Sequence, residues 1–167
     1  MNERRLRLWS GLVLVAYVTP HLLNHVLGLI SLQVAEDVRR ALSVIWHSPP
    51  GTIVLYGAFL LHFGLGLWSL YRRPHLRMPP WEKAQLILGL LVWPLLINHV
   101  LGTRGAASAL GIEVTYPLVV ASLWLATESG WLQQIVLVLV VWGHLCVGLH
   151  FWLRLKSSYR RMLPLLY

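Results

Sequence analysis

The stretch Pro20-His21-Leu22-Leu23-Asn24-His25-Val26-Leu27-Gly28 returns later in the chain as Pro94-Leu95-Leu96-Ile97-Asn98-His99-Val100-Leu101-Gly102. Proline, Asn-His and Val-Leu-Gly fall at matching positions, and the remaining residues are apolar except His21. Each copy sits towards the end of a long apolar run, approximately Trp9–Ser31 and Ala84–Thr103. Two further runs, approximately Thr52–Tyr71 and Leu132–Leu155, lie between and after them. A hydrocarbon core about 30 Å thick is crossed by roughly 20 helical residues. Lipid offers no partner to a free backbone N–H or C=O, so such runs must be helices. The composition agrees: 12% of the 167 residues are charged, against roughly a quarter in soluble domains.

The second and fourth runs repeat more loosely. His62-Phe63-Gly64-Leu65-Gly66-Leu67 leads to Tyr71-Arg72-Arg73, and His144-Leu145-Cys146-Val147-Gly148-Leu149 leads to Leu153-Arg154-Leu155-Lys156. The chain therefore reads as one domain, 1–167, made of two copies of a two-helix unit in the same orientation, about 9–73 and 84–156. The expected fold is an all-α membrane protein, a four-helix transmembrane bundle of two parallel two-helix repeats with interfacial outer segments. The first outer segment, Gln33–Ser48, has an amphipathic pattern (Val34, Val38, Leu42, Ile45, Trp46) suited to the membrane surface. Val114–Ala126 is short for a crossing and reads as interfacial or re-entrant; the alternative counts it as a fifth span. Met162–Tyr167 reads as the start of a further helix.

The net charge of +8 is explained by its distribution, without nucleic acid. Arg4, Arg5 and Arg7 precede the first span; Arg72, Arg73, Arg77 and Lys83 lie between the second and third; Arg154, Lys156, Arg160 and Arg161 follow the fourth. Only Arg39, Arg40 and Arg104 fall in the other two loops. The positive-inside rule then puts both termini and the middle loop in the cytoplasm, where the basic clusters can meet anionic lipid. Met1–Arg7 does not open a signal peptide, because the apolar run behind it is too long and lacks a small-residue cleavage site. Cys146 lies inside a span, which excludes a disulfide framework and a thiol metal cluster.

The repeat also sorts the histidines. His25 aligns with His99 and His62 with His144, whereas His21 aligns with Leu95, His150 with Trp68, and His47 and His75 lie in loops. A histidine in a span can simply bond across helices, but four at repeat-related positions point to a shared role. Proton relays and ion-coupled transporters use acids at membrane depth, and no Asp, Glu, Lys or Arg lies well inside these spans. A zinc or copper site would bring four histidines to one level. At 1.5 Å per residue, His25 and His99 fall roughly 8 Å below the outer edge and His62 and His144 roughly 15–18 Å. Two bis-histidine pairs at two depths suit two b-type haems, His25 with His99 and His62 with His144. Covalent haem attachment is excluded by the absence of Cys-x-x-Cys-His.

Gly28, Gly102, Gly66 and Gly148 share a helix face with these histidines and would let a flat ring approach; helix–helix contact explains them equally well. Arg104 is placed to meet an outer haem propionate. Asn24 and Asn98 point about 100° away from the neighbouring histidines, free to tie helices or bond a ligand. His21 and His150 are reserve ligands, and His21 could instead line a quinone pocket. Trp9, Trp46, Trp81, Trp124, Trp131 and Trp152 fit an aromatic belt, while Trp68, Trp93 and Trp142 lie deeper.

One histidine on each of four helices, paired first with third and second with fourth, resembles the dihaem cytochrome b anchors of succinate dehydrogenases and fumarate reductases. The end of the fourth span is more particular. Gly148-Leu149-His150-Phe151-Trp152-Leu153-Arg154-Leu155-Lys156, followed by Tyr159-Arg160-Arg161 and Pro164, is similar to the membrane anchor of a bacterial family of class III adenylate cyclases. That resemblance covers nearly the whole chain. It implies a six-helix dihaem-b anchor in the bacterial inner membrane that responds to quinone or quinol. Ferredoxin-like and cyclase domains would follow in cis in the cytoplasm, and a homodimer is expected because class III cyclase sites form between two catalytic domains. No cyclase motif or iron–sulfur cysteine set lies in these residues, so no catalytic site beyond haem electron transfer is expected here. The alternatives are an electron-transfer anchor subunit of a succinate dehydrogenase or fumarate reductase, and a haem-free transporter or structural membrane protein.

Overall fold

The computed structural model describes residues 2–125 and 129–162. Among these residues every regular element is helical: α1 (Glu3–Leu27), α2 (Leu32–Trp46), α3 (Pro49–Tyr71), α4 (Pro80–Val100), α5 (Ala106–Leu110), α6 (Tyr116–Leu125), α7 (Gly130–Leu153) and α8 (Ser157–Met162). A π-helical turn, Leu101–Gly105, joins α4 to α5 without a break. Four stretches are long and apolar enough to cross a membrane: α1, α3, Pro80–Leu110 and α7. The protein is thus an all-α, multi-pass membrane protein.

Local chemistry sets the helix starts. The Asn2 side chain accepts from the Arg4 N–H at 3.2 Å, Ser31 from Val34 at 3.0 Å and Ser48 from Gly51 at 3.2 Å, each satisfying a donor that the first turn leaves open. Pro49 and Pro50 occupy the first turn of α3, where a missing N–H costs nothing. Gly51 is required there, since a Cβ would collide with the Ile45 carbonyl.

These ends differ from the sequence expectation in instructive ways. The first helix starts at Glu3 and stops at Leu27, and Ser31 leaves it to cap α2. The third run does not end near Thr103 but continues to Leu110. The segment 114–126 contains the ten-residue α6, which at 1.5 Å per residue is about 15 Å long and half a bilayer core; Ala126 lies outside the described residues. Of the expected further helix, 163–167 also lie outside them.

The chain divides into two compact units. One comprises Met1–Leu76 and Val100–Trp131, the other Arg77–His99 and Leu132–Tyr167. In the first, α1 runs against α3, and α2 packs on α1, α3 and α6. The second holds α4, α7 and α8. Among the described residues the buried side chains include the polar Ser10, Asn24 and Glu36 beside Ala35, Leu137 and Val140. Large apolar residues of the spans, such as Ile53, Leu60 and Leu139, stay 60–73% exposed. That inversion suits a hydrocarbon solvent, in which outward apolar side chains cost nothing and polar ones turn inwards.

Candidate functional site

In the first unit, His62 of α3 packs against the start of α1. Its Nδ1 lies 3.1 Å from the Arg7 carbonyl oxygen and 3.3 Å from Ser10 Oγ. The ring rests on Gly11, where a Cβ would come within 3.0 Å of His62 Cε1. The second unit repeats the arrangement with different residues. His144 Nδ1 lies 3.1 Å from the Gln85 carbonyl oxygen, and a Cβ on Gly89 would sit 2.8 Å from His144 Cε1. In both units the accepting carbonyl stands four residues before the glycine, so carbonyl and glycine occupy the same helix face.

A carbonyl oxygen can only accept, so Nδ1 of both rings carries the proton and the lone pair lies on Nε2. The Gln85 amide nitrogen, 3.4 Å from His144 Nε2, is a donor suited to that lone pair. His99 follows the same rule with a side chain as acceptor: its Nδ1 is 3.2 Å from Gln134 Oε1. His25 meets Tyr116, whose hydroxyl lies 3.5 Å from His25 Nδ1 and 3.5 Å from the His25 carbonyl oxygen.

Each unit holds its two histidines at separate levels. Fourteen residues separate Gly11, beneath His62, from His25, a rise of about 21 Å along α1. Ten residues separate Gly89, beneath His144, from His99, a rise of about 15 Å along α4. The register that aligns His25 with His99 is therefore displaced by one helical turn at the other level.

The four expected glycines part company. A Cβ on Gly28 would stand 2.7 Å from the Tyr116 hydroxyl, and one on Gly148 would stand 3.0 Å from Gln85 Nε2. These two glycines make room for side chains of the chain itself. Gly66 and Gly102 have nothing within 4 Å of a Cβ position, leaving a surface that a flat ring can approach. Arg104 is held by protein: it donates to Thr52 Oγ1 at 2.9 Å and to the Trp46 carbonyl at 3.4 Å, with its guanidinium over the Tyr56 ring. It thereby joins the end of α2 to the start of α3.

His21 stacks on Tyr17 with centroids 5.4 Å apart and meets His25 edge-on at 4.9 Å. His150 Nδ1 lies 3.1 Å from the Tyr159 hydroxyl, linking α7 to α8. Asn98 donates to Gln133 at 3.4 Å, whereas Asn24 Oδ1 and Gln85 Oε1 are buried without a hydrogen-bond partner.

Sequence reasoning missed the residues that hold the imidazoles. Gln85 and Gln134 carried a usable signal, since amides near the ends of apolar spans need partners. Tyr116 and the carbonyl of Arg7 carried none. Glu36 was missed as well. Its buried carboxylate accepts from Arg39 at 2.7 and 2.8 Å, from Arg40 at 2.8 Å and from the Tyr116 backbone N–H at 2.8 Å.

The donor set suits a haem iron: imidazoles, three with Nδ1 facing an acceptor oxygen, in an apolar helical setting. No group of three or more histidine, cysteine or acidic side chains gathers as a metal cluster among the described residues. Fold and site together define a multi-pass helical membrane protein carrying histidines at two levels in each of two units. The chain matches no protein-family model, no curated protein and no solved structure.

Proposed function

We propose that this chain is a dihaem b-type cytochrome domain. In this reading His25 and His99 ligate one haem, and His62 and His144 the other. The observation that carries it is the matched setting of His62 and His144, each with Nδ1–H donated to a backbone carbonyl and its ring seated on a glycine. Such a donor bond fixes the tautomer, orients the ring and raises the basicity of the ligating nitrogen. When bound, the haems would supply one-electron transfer. The protein's share is to hold the rings, exclude water and offer the open faces at Gly66 and Gly102.

The resemblance of Gly148–Lys156 and the residues after it to cyclase anchors supports a sensory role. Quinone or quinol in the bacterial inner membrane would set the haem redox state, which would bias a cytoplasmic adenylate cyclase attached in cis through ferredoxin-like sequence, in a homodimer. The loops' charge distribution supports a cytoplasmic N-terminus. A ligand-driven signal of this kind requires two states of the domain with different stability in each redox state.

The test is a dithionite-reduced minus oxidised spectrum of the purified protein, with haem quantified as the pyridine haemochrome. The expected result is about two b-type haems per chain, falling to about one in His25→Ala and in His62→Ala. A folded, detergent-stable preparation devoid of haem overturns the reading.

A further inference from the structure

The outer histidine of the first unit is held differently from the other three. Tyr116, the first residue of α6, brings its hydroxyl to 3.5 Å from both Nδ1 and the carbonyl oxygen of His25. One phenol can serve both atoms only in one way: its O–H donates to the carbonyl, and its oxygen accepts from Nδ1–H. That leaves the His25 lone pair on Nε2.

Two features place the phenol there. Gly28, one turn beyond His25, leaves the space that the hydroxyl occupies, since a Cβ would lie 2.7 Å from it. The backbone N–H of Tyr116 is fixed by the Glu36 carboxylate at 2.8 Å, and that carboxylate is held in turn by Arg39 and Arg40. The repeat does not reproduce this device, because Gly102 has nothing within 4 Å of its Cβ position.

We propose that Tyr116 is the positioning residue of His25, setting its tautomer and donor strength from outside α1, with Gly28 as the notch that admits the phenol. The inference rests on the assignment of His25 as a haem ligand. An imidazole that gives its Nδ1–H to an acceptor is the stronger donor and favours ferric iron. Removing the acceptor therefore raises the midpoint potential of that haem alone.

The experiment is a potentiometric titration of the full chain in detergent, wild type against Tyr116→Phe, Gly28→Ala and Gly64→Ala, with His25→Ala to identify the affected haem. Tyr116→Phe is expected to keep both haems and raise the potential of the one that His25→Ala removes. Gly28→Ala, which retains the phenol but displaces it, should move the same potential in the same direction, while Gly64→Ala, with open space at its Cβ position, should leave both unchanged. If Tyr116→Phe fails to fold, Gly28→Ala alone decides the question. Two haems in the wild type with unshifted potentials in Tyr116→Phe and Gly28→Ala, or a shift confined to the other haem, overturns the inference. Absence of haem from the wild type overturns the dihaem reading, and this inference with it.

Discussion

At the scale of single residues, the site is made of imidazoles and the groups that orient them. The histidines were legible because duplication repeats them, whereas a carbonyl acceptor leaves no mark in sequence: any residue could stand where Arg7 stands. The glycines beneath the rings were equally silent. Gly11 and Gly89 fall outside the repeat that singled out Gly28, Gly66, Gly102 and Gly148, because the contact is displaced by one turn between the units. Their importance can be read from space alone. A methyl group on Gly89 would sit 2.8 Å from His144 Cε1, inside any real carbon contact, so the ring must leave the Gln85 carbonyl. Gly89→Ala is therefore expected to destabilise the protein by about 1–3 kcal/mol and to lower the haem content, measured as pyridine haemochrome. Gly64→Ala, with open space at its Cβ position, should do neither. Equal haem content in the two variants would refute the seating of His144 on Gly89.

At the scale of elements, the class and number of the spanning helices followed from apolar run length, and the helix ends did not. Where a helix ends is decided by caps such as Ser31 and Ser48, which compete with equally plausible neighbours until the turn closes. The pairing of α2 with α6 was unreadable too, because it depends on one acid. Bonds from Arg39 above all, then from the Tyr116 N–H and Arg40, hold the Glu36 carboxyl at about 2, below its ordinary value of 4.5. A carboxyl depressed on folding stabilises the native state above its unfolded pKa, and that contribution fades as pH falls from about 4.5 towards about 2. Glu36→Gln should accordingly melt at a lower temperature than wild type at pH 7, with the gap closing as pH drops through that window. A constant gap across the window, followed by circular dichroism in detergent, would show that the charge of Glu36 does not hold α2 to α6.

For the molecule as a whole, the decisive quantity is the sign and position of charge. The four long apolar helices establish a membrane protein, and the loops' arginines and lysines argue for its orientation. In a Cys146→Ser background, Ile112→Cys should react with an impermeant maleimide on intact cells, and His75→Cys only after the membrane is opened. The opposite pattern would invert the proposed topology. Pairing of histidines across the two units was inferred from the repeat, and each unit by itself shows why sequence could carry that inference only partway. Counting along the apolar runs set the two levels roughly 7–10 Å apart, whereas packing at Gly11 and Gly89 separates them by about 21 Å along α1 and about 15 Å along α4, a spacing and a one-turn displacement that the aligned motifs do not contain.

The π turn at Leu101–Gly105 has a consequence for the tolerance of the gene to change in length. A widened turn carries a residue that a regular helix of the same rise would not need. Losing that residue closes the turn to a regular helix with the downstream residues keeping their direction, whereas the same loss in an uninterrupted helix rotates everything beyond it by about 100°. Deletion of a single codon is thus better absorbed after His99 than in the helix before it, and length differences between otherwise similar chains are expected to gather at this point.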